Sequence, residues 1–315
     1  MLARLQVLAA ALLMSTGGAA IKSATIPGIE VAAARSIIAA VLILLVTPAR
    51  RALRDPRAAV VGAAIAMTMV SFVAANKLTT AANTIFLQYA GSLYVLLLAP
   101  RMLGERINRR DVPYIAVLVA GLGAFLLDTQ SPSATAPRPA LGNLLATLSG
   151  VSWAAVIVGL RRLAARAPVK SEAQISDAKD GGGALSERSV ERGPKNTGLA
   201  EAAAVWGNLF AFVAGLPWIL GDLRGVGANW AVLGYLGVFQ VGIAYLSFSA
   251  AVRHVTAPEA SLLLLVEPAL NPVWAWLVHG ERPGHWAMLG GSVILLSTAV
   301  KTVLDARGRG AARGG

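Results

Sequence analysis

The segment Leu262–Gly284 reads LLLLVEPALNPVWAWLVHGERPG. It is apolar enough to lie in hydrocarbon, yet a carboxylate, Glu267, and two prolines, Pro268 and Pro272, interrupt it. A charged side chain at the bilayer centre costs about 2.5–3.5 kcal/mol on insertion scales, and such residues face a bundle interior or a water-filled cavity. Glu267 is the only acid expected near the centre of a span, which makes it the first candidate for a solute pathway or for binding a proton. Capping of backbone donors freed at a helix break is the structural alternative. The prolines remove backbone donors, so they bear on helix shape more than on chemistry. Freed backbone groups near the midplane can serve a bound solute, and an ordinary packing kink is the competing account.

Other residues join this set by type and position. Lys22 and Arg35 flank the short connection between the first two apolar segments. They either snorkel to the interface or attract anions at a cavity mouth. Gln88, Tyr89, Trp153, Gln240 and Tyr245 are pocket candidates, because a cavity wants an apolar wall with a few placed polar groups. Interhelical hydrogen bonding and interfacial anchoring are their alternatives. Glu105 and Glu281 each stand in a Gly-Glu-Arg triplet at a membrane end, where they are expected to fix helix ends or pair with basic neighbours. The three histidines are dispersed and the chain has no cysteine, so neither a metal site nor a cofactor is expected. A membrane-embedded hydrolase or transferase needs a nucleophile with a base, or two close carboxylates. One central acid does not supply that, and no catalytic residue is assigned. Such an enzyme, or a non-transporting scaffold or receptor, stands as the alternative functional class.

These residues need elements to hold them, and the composition says which. Of 315 residues, 56% are hydrophobic and only 14% charged, against about 25% charged in soluble domains. The apolar residues form long blocks, such as Ala58–Asn76, Leu78–Pro100 and Pro139–Leu160. Runs of about 18 or more suit helices crossing a layer roughly 30 Å thick. They lack the alternation of membrane barrels. The reading is an all-α polytopic membrane protein with ten transmembrane helices, at 4–22, 31–48, 57–76, 79–99, 112–128, 140–160, 199–220, 229–252, 257–279 and 284–303. The first of these also has the look of a secretory signal, so cleavage within residues 1–20 stays open.

The net charge is +12. With the N-terminus inside, 22 Lys/Arg fall inside and five outside, Arg35 being assigned to the second span. This is the positive-inside bias of an inner-membrane protein, with both termini cytoplasmic and a basic tail at 306–315. The basic residues are scattered over separate loops, so no nucleic-acid partner is expected. Residues 161–198 are polar, of mixed charge and poor in large apolar side chains, the composition of a disordered cytoplasmic insertion. Its Gly181–Gly183 run lacks the Lys-Ser/Thr of a phosphate-binding loop.

Sliding the chain by 176 positions lays Ser71–Asn83 on Ser247–Glu259 and Gly104-Glu105-Arg106 on Gly280-Glu281-Arg282. Eleven of 36 aligned positions are identical, where about three would arise by chance. Two five-helix units follow, 1–129 and 130–305. Because five is odd, the second enters the membrane inverted, an arrangement that places a solute site between the halves. The segments Thr256–Pro283 and Thr79–Asp111, the Gly-rich stretch Gly284–Val300, and the TGGAAIKS and AAARS pieces resemble the EamA-type members of the drug/metabolite transporter superfamily. That resemblance implies a ten-helix transporter for small organic metabolites, amino acids or related compounds, usually exporting them. It points to Lys22, Arg35, Glu105, Glu267, Pro268 and Glu281. Ser92 departs from it, standing where many members have proline and leaving the shape of the fourth helix open. Substrate, coupling ion (protons among the candidates), and monomer or homodimer are not fixed by the sequence.

Overall fold

A computed structural model describes residues 2–103, 112–127, 131–165, 198–251, 254–255 and 257–311. Glu105, most of the 161–198 insertion and the last four residues of the tail lie outside this set. Ten apolar helices run through the described residues: α1 (Leu2–Ser23), α2 (Gly28–Val46), α3 (Pro56–Leu78), α4 (Ala81–Leu98), α5 (Val112–Phe125), α6 (Pro139–Leu163), α7 (Leu199–Gly221), α8 (Trp230–Ala251), α9 (Glu259–His279) and α10 (His285–Leu304). Nine are long and apolar enough to cross a membrane and α5 is shorter. The helical stretch that contains α10 continues to Ala311. The tail therefore begins as an extension of the last helix, since no proline stops it.

Local chemistry sets the helix ends. Asp55 caps α3, its Oδ1 accepting from Arg57 N at 2.9 Å, with Pro56 in the first position. Thr80 caps α4 through Asn83 N at 3.1 Å. Gly280 ends α9 with φ 65°, a left-handed conformation that favours glycine. The glycine of the second Gly-Glu-Arg triplet is thus a helix stop.

Small residues bring the helices together, as expected where lipid offers no hydrophobic drive for helix association. Gly62 and Gly207 seat α3 on α7, and Gly290 lets α10 approach the Gly121 carbonyl of α5. Gly291 receives the ring of Phe86, which also packs at a tilt on Phe125 with centroids 6.4 Å apart. The pairings come in twos when α1–α5 are matched in order with α6–α10: α3 on α6 and α8 on α1, α4 on α6 and α9 on α1, α3 on α7 and α8 on α2.

Four spans are irregular near their middles. Thr16 interrupts α1, Ala90 interrupts α4 and Leu265 interrupts α9, while α8 carries a π-helical stretch at Leu236–Ile243. The breaks at Ala90 and Leu265 fall within one residue of equivalent positions in the repeat register.

Candidate functional site

Glu267 follows the break in α9, and Tyr89 precedes the break in α4. The Tyr89 hydroxyl donates to Glu267 Oε2 at 2.9 Å, with the Leu264 carbonyl a second acceptor at 3.3 Å. Protein surrounds both side chains, yet both retain accessible surface. Neither side chain is fully buried. The break in α9 comes before Pro268, which occupies the first turn of the following helix, where its missing N–H is tolerated. Pro272 alone lies inside that helix. In α4 the break forms without proline: Gly91 follows it, and Ser92 Oγ bonds back to the Tyr89 carbonyl at 3.3 Å. Tyr114 donates to Ser92 at 3.2 Å and touches Thr298 Oγ1 at 3.3 Å.

The break in α1 is the other half of the site. Thr16 Oγ1 meets Tyr235 OH at 2.7 Å, and Trp274 Nε1 donates to Ser15 Oγ at 2.9 Å. Gly17 abuts the Gln240 amide and Gly18 abuts Asn271 Oδ1: a Cβ added at either would stand 2.8 or 2.5 Å away and push the amide aside. Gln240 sits in the π-helical stretch and accepts from Arg35 Nη1 at 3.0 Å. Arg35 is 3% exposed, and its Nε has no hydrogen-bond partner; neither amide atom of buried Asn271 has one. Asn271 lies one turn beyond Glu267 on the same face of α9. Gln240 and Asn271 thus meet the two glycines after the Thr16 break; Arg35 joins through Gln240, and the Glu267–Tyr89 pair lies one turn from Asn271, a polar belt near the middle of these spans.

The remaining sequence candidates lie elsewhere. Lys22 is neither snorkelling nor open to solvent. Its side chain is 4% exposed and pairs with Glu281 Oε2 at 3.0 Å, while donating to the carbonyls of Thr79, at 2.8 Å, and Thr135. Glu281 Oε1 accepts from Ala81 N at 2.6 Å, at the start of α4. Lys77 donates to the Ala24 carbonyl nearby. This cluster joins the ends of α1, α3 and α9 to the starts of α4 and α6, so the two groups run in opposite senses. Gln88 donates to Ser149 Oγ at 2.9 Å, tying α4 to α6. Trp153 is 43% exposed on α6, and Tyr245 packs against the cluster of Ile43, Ala49, Ala204 and Val205. Among the described residues no group of three His, Cys, Asp or Glu could hold a metal. Asn271, Thr16, Ser15 and Tyr235 were missed from sequence. The Thr-Gly-Gly of α1 and the Asn-Pro of α9 were the available signals.

Similarity to known proteins follows this architecture. Residues 1–127 and 198–302 match the EamA-like transporter family. A protein of Archaeoglobus fulgidus described as an uncharacterized transporter is 24% identical over 241 residues, 74% of this chain and 72% of its own length. The uncharacterized transporter YdfC of Bacillus subtilis is 32% identical over 91 residues, 28% of this chain and 29% of its own length. A crystal structure aligns over 97% of this chain and 98% of its own with TM-score 0.57 at 21% identity, a likeness of fold. The chain is a member of the EamA-like transporter family, a multi-pass membrane protein built to move a small molecule across a bilayer.

Proposed function

We propose that this protein is a secondary transporter that exports small organic metabolites, amino acids or related compounds, across the inner membrane by alternating access. Its units are two inverted halves, residues 1–129 and 130–305, that rock about the polar belt. The observation that carries the reading is that belt: α1, α4, α8 and α9 all lose regular helicity where Arg35, Gln240, Asn271, Glu267 and Tyr89 gather. Broken helices near the midplane are where transporters of this kind bind solute. A guanidinium with an unused N–H suits a carboxylate, Asn271 offers a donor and an acceptor, and Glu267 suits an amine or a coupling proton.

The charge distribution supports cytoplasmic termini, which makes the Lys22–Glu281 end the outer one. Reconstituted vesicles test the reading. Counterflow across an amino-acid panel should identify at least one exchanged solute. A pH gradient should drive its accumulation in the wild type, while Glu267→Gln retains exchange and loses that drive. Unchanged pH-driven accumulation in the variant removes Glu267 from coupling; absence of flux for the whole panel removes the substrate class.

A further inference from the structure

Where α2 begins and α7 ends, Glu30, Pro217, Trp218, Gly221 and Asp222 line an open groove of about 370 Å³. Gly215 holds its walls together, letting α7 close on the Ile29 carbonyl and Ala33 of α2. Glu30 is only 4% exposed, yet its Oε2 has no hydrogen-bond partner. Asp222 is near enough for the two carboxylates to act on one another, and its Oδ1 is committed to Gly225 N at 3.0 Å. Trp218 stands 53% exposed at the rim. Arg224, two residues past Asp222, is paired with neither acid. A dehydrated carboxylate with a free oxygen, beside a second carboxylate and with no paired cation among the described residues, is a costly combination, and it is relieved by a ligand that brings positive charge and N–H donors together.

We propose that this groove binds a protonated amine. A divalent metal is the poorer fit, because hard cations want six or more oxygen ligands and no third acidic or histidine side chain joins the pair among the described residues. The tryptophan selects in the same direction, since an indole face attracts organic cations. The volume suits a small ligand. Glu30 lies in the first turn of α2 and Asp222 just past the end of α7, which is headgroup depth for helices that span the hydrocarbon layer. The ammonium can therefore come from a phosphatidylethanolamine headgroup or from a soluble amine. The site is separate from the central belt, and its ligand clamps α2 to α7.

Purified full-length protein, delipidated in detergent, is titrated with phosphatidylethanolamine, with phosphatidylglycerol and with ethylamine, and retention is read by native mass spectrometry and calorimetry. The expected result is retention of phosphatidylethanolamine over phosphatidylglycerol, cut tenfold or more by Glu30→Gln with Asp222→Asn. Trp218→Ala should weaken it roughly two- to fivefold and Trp218→Phe should restore it. Saturable ethylamine binding lost in the same variants supports the site with a soluble source instead. The proposal is overturned if the double amide variant, folded by circular dichroism, binds both amines as the wild type does. It is equally overturned if the wild type prefers neither amine over phosphatidylglycerol.

Discussion

Tyr89 and Glu267 meet across two helix breaks, and the bond between them is a hydroxyl donating to a carboxylate. A hydrogen bond to a charged group is worth about 1.5–3 kcal/mol when it is desolvated. Tyr89→Phe should therefore destabilise the protein by about 1.5–2 kcal/mol, the lower part of the range because both side chains keep some accessible surface. In a Glu267→Gln background the same change should cost markedly less, as a double-mutant cycle on denaturation reads directly. Equal costs in both backgrounds would falsify the coupling. Sequence made Glu267, Arg35 and Gln240 legible because a charge or an amide stands out in an apolar run. It did not make Asn271 legible, since the flanking prolines drew attention to shape. Nor did it reveal that Lys22 ends on Glu281, because nothing local reports a contact between residues at opposite ends of the chain.

At the scale of helices, the break in α4 depends on close backbone approach. A Cβ on Gly150 would stand 2.8 Å from the Leu87 carbonyl, and one on Gly91 would stand 3.0 Å from the Gly150 carbonyl. Backbone cannot yield as a flexible side chain does, so Gly150→Ala should cost about 1–3 kcal/mol and lower transport. Gly123→Ala, with nothing within 4 Å of the added carbon, should be close to neutral in the same thermal assay. The span count was legible because hydrocarbon thickness dictates a minimum apolar run. Interior irregularity was only half legible. The prolines drew attention to α9, but its break precedes Pro268, and α4 breaks with no proline. The π-helical stretch of α8 arises where Gly237 and Gly242 pack against Ile38 and Leu42 of α2, a tertiary cause that no local pattern carries.

For the molecule as a whole, the cluster around Lys22 ties five helix ends together, and the proposed rocking of the halves requires those ends to part. Both members of the Lys22–Glu281 pair are nearly inaccessible, so removing one partner leaves a stranded charge. Lys22→Met or Glu281→Gln should each cost about 3–5 kcal/mol, and the pair Lys22→Met with Glu281→Met distinctly less than the sum. Those variants report stability; movement needs a lock that spares the ion pair. Ser23 Oγ and His279 Nε2 lie 3.4 Å apart at the exposed edge of the same end, one on α1 and one on α9. The chain has no cysteine, so Ser23→Cys with His279→Cys introduces the only two thiols. Joined by a short bis-methanethiosulfonate cross-linker, each thiol displacing a sulfinate to form a reducible disulfide, the protein should lose net flux more than tenfold and regain it on reduction, while each single variant transports normally. A joined protein that still transports at the wild-type rate would mean that α1 and α9 stay together throughout the cycle. The two halves could not then rock about the belt, and solute would have to leave by a path on another side of the bundle.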